Sequence, residues 1–247
     1  MFSWFRDLDR VLRGDATRAD TLRYGTVDSP PGRLAAAGVM LAAIYGLCMG
    51  VFGLFNRPEP EYLLPLNGAV KVPALFALTL LVTFPSLYVF NALLGSRLTL
   101  SGLARLLAAA LGVTLAVLAS FGPILAFFSV TTTSHPFIVL LNVVLCTVSG
   151  VLGMAFLLRT LDRLVAAMNE PEPSLEPVPV ARAVRPADRR VRAVFLVWVV
   201  LFGLVGAQTG WVLRPFIGNP AVPFTWFRQR EASFFEAILQ LLRSLVS

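Results

Sequence analysis

The sequence is poor in the residues on which most enzyme chemistry and most disulfide stapling depend. Its 247 residues include one histidine, one lysine (Lys71) and two cysteines, Cys48 and Cys146. Two cysteines inside apolar runs make no disulfide framework; free thiols packed as small apolar residues are expected. A histidine-based metal site or a serine–histidine hydrolase would have to use His135, which stands beside Pro136 in an uncharged stretch. Acids are scarce and clustered. The 14 Asp and Glu fall at or before Asp28, at Glu59 and Glu61, between Asp162 and Asp188, or at Glu231 and Glu236. Proton relays and acid–base pairs need titratable groups held near each other, and the long stretches between these clusters supply none. No HExxH, Glu-Glu-x-x-x-Arg or Walker-type loop occurs. No catalytic, cofactor-binding or metal-ligating residue is expected, and no cofactor, so the chain reads as a non-enzyme.

What the sequence has instead is apolar length. Hydrophobic residues make up 57% of it and charged residues 14%, with a mean hydropathy of +0.76. A soluble domain is about 45–50% apolar and about 25% charged, so this composition cannot furnish a water-facing exterior. Five apolar segments stand out, at roughly 33–55, 72–95, 103–128, 136–158 and 193–213. Each has the roughly 20 residues that a helix needs to cross a bilayer core. The expected fold is all-α: a polytopic bundle of about five transmembrane helices, with amphipathic interfacial helices at both ends. Pro73 falls in the first turn of the second segment, and Pro85 in its interior. Gly122-Pro123 should kink the third, and Ser134-His135-Pro136 opens the fourth. Short connections at 96–102 and 129–135 predict that spans two, three and four are antiparallel neighbours.

The remaining chain divides into an N-terminal segment 1–32, a four-span bundle 33–158, a linker 159–192, the fifth span 193–213 and a C-terminal segment 214–247. The N-terminal MFSWFRDLDRVLRGD has early acids and no continuous apolar core, so span one is expected to act as its own insertion signal. In residues 2–13, Phe2, Phe5, Leu8 and Leu12 recur near helical spacing among charges; in 233–246, Ser233 and Glu236 form a capping-box pattern ahead of an apolar face. Each could lie in the headgroup plane or pack on the spans. The stretch 169–190, rich in Pro and charge, suits no packed core. The net charge is +7, carried by arginines that flank apolar segments, which argues for orientation signals and against nucleic acid. Basic residues on alternate sides of the spans number fifteen and six, which puts the N-terminus and linker inside and the C-terminus outside.

Several constellations have a structural and a functional reading. Gly38, Ala42, Gly46 and Gly50 lay a smooth stripe on span one, expected to be a packing seam for another helix. Gly203, Gly206 and Gly210 repeat the theme in span five. Asn91, Asn142 and Gln208 are amides at depth: either interhelical hydrogen bonds or, with Pro85 and Pro123, a broken-helix polar path. At the exit from span five, Gln208, Trp211, Arg214 and Phe216, with Trp226 and Arg228, make a belt anchor or a docking platform in which Arg214 meets a lipid phosphate or a carboxylate. Arg182, Arg185, Arg189, Arg190 and Arg192 could bind anionic headgroups or serve only as the orientation signal. Ser149-Gly150 lacks the first glycine of the rhomboid-protease GxSG, with Thr147 in its place.

The strings FPSLYVFNALLGS (84–96), GAQTGWVLRPFIG (206–218) and PFTWFR (223–228) resemble an uncharacterised bacterial family of multi-span inner-membrane proteins. The five-span plan is also similar in architecture to the YIP-like (Ypt-interacting) membrane proteins. The first resemblance implies a bacterial inner-membrane location and carries over no site residues. The expected role is a non-enzymatic scaffold, assembly or accessory subunit whose partners are the lipid bilayer and other membrane proteins. The alternative is a small transporter, channel subunit or lipid-handling protein.

Overall fold

The computed structural model describes residues 3–17, 30–56, 62–93, 99–168, 186–219 and 225–227. Every regular element among them is helical: α1 Ser3–Leu12, a 3-10 turn Asp15–Thr17, α2 Pro31–Phe55, α3 Leu63–Leu93, α4 Leu100–Ser120, α5 Gly122–Thr131, α6 His135–Met168 and α7 Pro186–Leu213. With α4 and α5 taken together, five helices are long and apolar enough to cross a membrane. The architecture is that of a polytopic helical membrane protein.

Local chemistry sets the helix boundaries. Pro31 opens α2, where its missing N–H would have had no partner. Thr99 caps α4 by accepting the Gly102 amide at 3.1 Å. Pro123 cannot donate to the Ala119 carbonyl, so α4 stops at Ser120 and the chain restarts as α5. The expected kink at Gly122-Pro123 is thus a break between two helices. The second span begins at Leu63, well before residue 72, and Pro73 lies inside it, not in its first turn. Polar Asn67 and the charge of Lys71 mark this stretch as a loop in the sequence, yet both are buried. The fourth span continues to Met168 because Leu157, Leu161, Leu164 and Ala167 keep one face in the core. The linker accordingly begins later than residue 159, and α7 resumes at Pro186.

The helices alternate in direction between two core clusters. One, at the α1 end, gathers Leu34 and Ala37 from α2, Leu87 from α3, Leu103 and Leu106 from α4, Leu161 from α6, and Phe195 and Trp198 from α7. The other, at the far end, gathers Tyr45, Met49 and Phe52 with Leu118, Leu125, Ile138 and Ile217. Among the described residues it takes no buried one from α7 itself. α2 packs on α3 and on α4–α5, α3 packs on α7, α4 packs on α6, and α6 touches α7. Spans two and three are therefore not the neighbours that their short connection predicts: α2 stands between them.

α1 docks on α2 and α4. It buries Leu8 and Val11, leaves Leu12 exposed, and sets Asp7 Oδ2 3.4 Å from the Arg33 guanidinium. Its inward face is thus the Leu8–Val11 side. The second amphipathic stretch, 233–246, lies outside the described residues, as do the side chains of Arg182, Arg185, Arg189 and Arg190; Arg192, the remaining member of that cluster, lies 3.5 Å from Asp162. Leu8→Ala should cost about 2–5 kcal/mol, as a buried leucine truncation does. An unchanged SDS-unfolding midpoint, with no new tryptic cleavage at Arg6 to Arg13, would refute this docking.

Candidate functional site at the far end

The site begins with the close approach of α2 and α3. Gly38, Ala42, Gly46 and Gly50 are all buried. A Cβ on Gly46 would lie 2.2 Å from the Gly68 carbonyl oxygen, and one on Gly50 would lie 2.3 Å from Pro65 Cα. The stripe is an internal seam, with Gly38 turned to Leu115 of α4. Of the span-five glycines, Gly206 faces Thr79 and Gly210 faces Leu75 on α3, while Gly203 meets nothing within 4 Å.

This register means that α7 ends beside Lys71, about 12 Å short of the start of α3 at 1.5 Å per residue. The chain beyond it, through the cis Arg214–Pro215 bond, fills the gap. Pro215, Ile217 and Gly218 are buried, and Gly218 would meet Gly53 Cα at 3.2 Å if it carried a Cβ. Non-helical backbone in a bundle of this kind must be covered by protein and given hydrogen-bond partners. Asn67 and Lys71, one turn apart on α3, supply them. Asn67 Nδ2 donates to the Pro215 carbonyl at 2.6 Å, and the Lys71 ammonium donates to the Trp226 carbonyl. The Phe227 ring lies 4.5 Å from Lys71 Nζ, and the Arg214 guanidinium stacks 3.9 Å over Trp211. Trp226 and Phe227 are themselves exposed.

Thus Trp211, Arg214, Phe216 and Trp226 do gather around one end of the bundle, with Phe216 packed on the far-end core. Arg228 lies outside the described residues, and Gln208 points outward from α7. The amides of the polar path do not converge. Asn142 accepts the Tyr45 hydroxyl at 2.7 Å between α6 and α2, and Asn91 is buried at the other end of α3. Tyr45→Phe should destabilise the bundle by about 1 kcal/mol, the usual worth of an interhelical hydrogen bond. Asn142→Ala should cost a similar amount, and the double variant less than the sum of the two. A fully additive pair would contradict the contact.

Sequence reading missed Asn67 and Lys71, and with them a buried polar stripe. Asn67, Lys71, Thr79, Thr83 and Asn91 fall on one four-residue register of α3, interrupted by Leu75 and Leu87. Thr79 and Thr83 donate back to Leu75 and Thr79, and Trp198 Nε1 donates to the Thr83 carbonyl at 2.8 Å. The spacing is visible in the sequence once Lys71 is allowed inside the helix.

Other chemistry stays apart. Ser149 donates to the Leu145 carbonyl, and His135, beside Phe52, is about 21 Å away along the same helix. Cys48 is half-buried; Cys146 is exposed, not packed inside. No group of three metal-ligating side chains occurs among the described residues. A groove near the α1 end, lined by Phe90, Val194, Val197, Trp198 and Leu201, is almost wholly apolar. Comparison with protein families, with curated proteins and with solved structures returns no match.

Proposed function

We propose that the chain is a non-enzymatic accessory, scaffold or assembly subunit of a bacterial inner membrane, working through the far end of its bundle. One observation carries this reading: the exit from α7 is held in place from within, by Asn67 and Lys71, while its aromatic side chains Trp226 and Phe227 face outward. An anchored aromatic and cationic surface suits contact with lipid or a partner chain. The arginine count supports an orientation with α1 cytoplasmic and residues after α7 periplasmic. Lys71 leaves the loop tally when it is buried in α3, which sharpens the asymmetry. Purification from native membranes in mild detergent should recover a second membrane protein whose crosslinks map to Trp211–Phe227. A monodisperse chain without a protein partner would refute the reading.

The buried polar stripe of α3 favours a second reading, a small transporter or lipid-handling protein. It requires water or solute to reach Thr79 and Thr83. In a cysteine-free background, Thr79→Cys and Thr83→Cys would then react with a membrane-impermeant thiol reagent. On the accessory reading they stay unreactive, since both positions are buried between helices.

A further inference from the structure

We infer that Lys71 and Arg214 are the cationic floor of a phosphate-binding site at the far end, filled by the headgroup phosphate of a phospholipid. Lys71 is 4% exposed. An ammonium carries three donors, and one of them goes to the Trp226 carbonyl. No acceptor for the other two is found among the described residues. A carbonyl and the Phe227 ring present partial charges only, and a buried cation without a full countercharge is strongly disfavoured. The acids whose side chains are described, Asp7, Asp9, Asp15 and Asp162, all belong to the opposite, α1 end of the bundle. A positive charge of this kind calls for an anion from outside the described residues.

A second group points the same way. Asn67 is fully buried, one turn from Lys71, and its Oδ1 has no donor among the described residues. A site with a cation beside an empty acceptor fits a ligand that brings an anion and a donor together. A phospholipid headgroup does so: its phosphate meets the ammonium, and a glycerol hydroxyl or ethanolamine ammonium meets Oδ1. Hydrogen phosphate has the same pair of features. Arg214, joined to the Pro215 that Asn67 holds, adds a second positive charge, and guanidinium groups suit phosphate oxygens. The surroundings favour lipid as the source. Trp211 and Trp226 are aromatics of the kind that sit at headgroup level, and Leu66 and Val70 on α3 are exposed where acyl chains would run.

The inference rests on the far end being the working surface, and not on a protein partner being there. A chain that purifies alone yet keeps a lipid response would refute the accessory reading and leave the site standing. The test follows thermal unfolding of the full chain in detergent, with short-chain phosphatidylglycerol, short-chain phosphatidylethanolamine, inorganic phosphate or dioctanoylglycerol added. The phospholipids should raise the midpoint and dioctanoylglycerol should not, a comparison that needs only the wild-type chain. Arg214→Gln should raise the half-saturating phospholipid concentration about tenfold, and Lys71→Gln should abolish the response. A matching response to inorganic phosphate would keep the site and make free phosphate its source. Equal stabilisation by dioctanoylglycerol, or an unchanged concentration dependence in Arg214→Gln, would overturn the proposal. So would a chain with Glu59, Glu61, Glu231 and Glu236 replaced by Gln, or with any one of them replaced, that is as unstable as Lys71→Gln and as unresponsive, because a protein carboxylate would then be the counterion.

Discussion

Leucine at Gly46 is expected to abolish the folded, monodisperse protein, while leucine at Gly203 leaves it unchanged. Both are glycines in apolar spans with small residues at helical spacing. At Gly46, even the first side-chain carbon would stand 2.2 Å from the backbone oxygen of Gly68, so α2 and α3 would have to part. Overpacking typically costs about 1–3 kcal/mol where side chains can give way. Here the obstacle is backbone, and the separation would also dismantle the contacts of Gly50 with Pro65 and of Gly53 with Gly218. The loss should lie at or above the upper end of that range. At Gly203 an added side chain meets open space. Size-exclusion profiles and SDS-unfolding midpoints of the two variants make the comparison. Equal behaviour would mean that the α2–α3 crossing is wrong.

The second large effect is expected at Asn67. Replacement by leucine keeps the size and removes the only described donor to the Pro215 carbonyl, which is buried against α3. A buried acceptor left without a partner costs about 1–3 kcal/mol. The damage should be local, because the lost bond joins α3 to the exit segment and not to the other spans. Chymotryptic cleavage at Trp211, Phe216 or Trp226 should therefore rise before the bundle itself melts. Lys71→Met should produce the same local release through the loss of its bond to Trp226. Since both side chains hold one segment, the double variant should lose less than the sum of the single losses. Uniform resistance to protease in both variants would show that the exit segment is held by packing alone.

The exit from span five was legible as a region, because Trp211, Arg214, Pro215 and Gly218 each break the pattern of an apolar helix. Its anchors were not. Lys71 follows a stretch containing Pro, Asn and charge, and a charge count naturally assigns such a residue to a loop. Only its contact with Trp226, 155 residues later, gives it a place inside the bundle. Asn91, Asn142 and Gln208 were equally visible as polar residues at depth. Whether they meet depends on helix rotation, which single polar residues do not specify, and they prove to face three different surroundings.

The sequence alone determined that this chain is a helical membrane protein with five spans. Long apolar runs cannot be solvated by water, and a backbone in lipid must satisfy its own hydrogen bonds, so helices of bilayer length follow. An odd number of alternating spans then places α1 and the exit of α7 at opposite ends. The tertiary structure decided which faces meet, in what order the helices stand, and where Lys71 goes. The reason is physical: in spans apolar all round, lipid and protein neighbours are nearly equivalent to a side chain, so no hydrophobic stripe marks the core. What selects the neighbours is steric fit at glycines and the few buried polar bonds. Those are properties of pairs of helices, and they exist only once the helices are brought together.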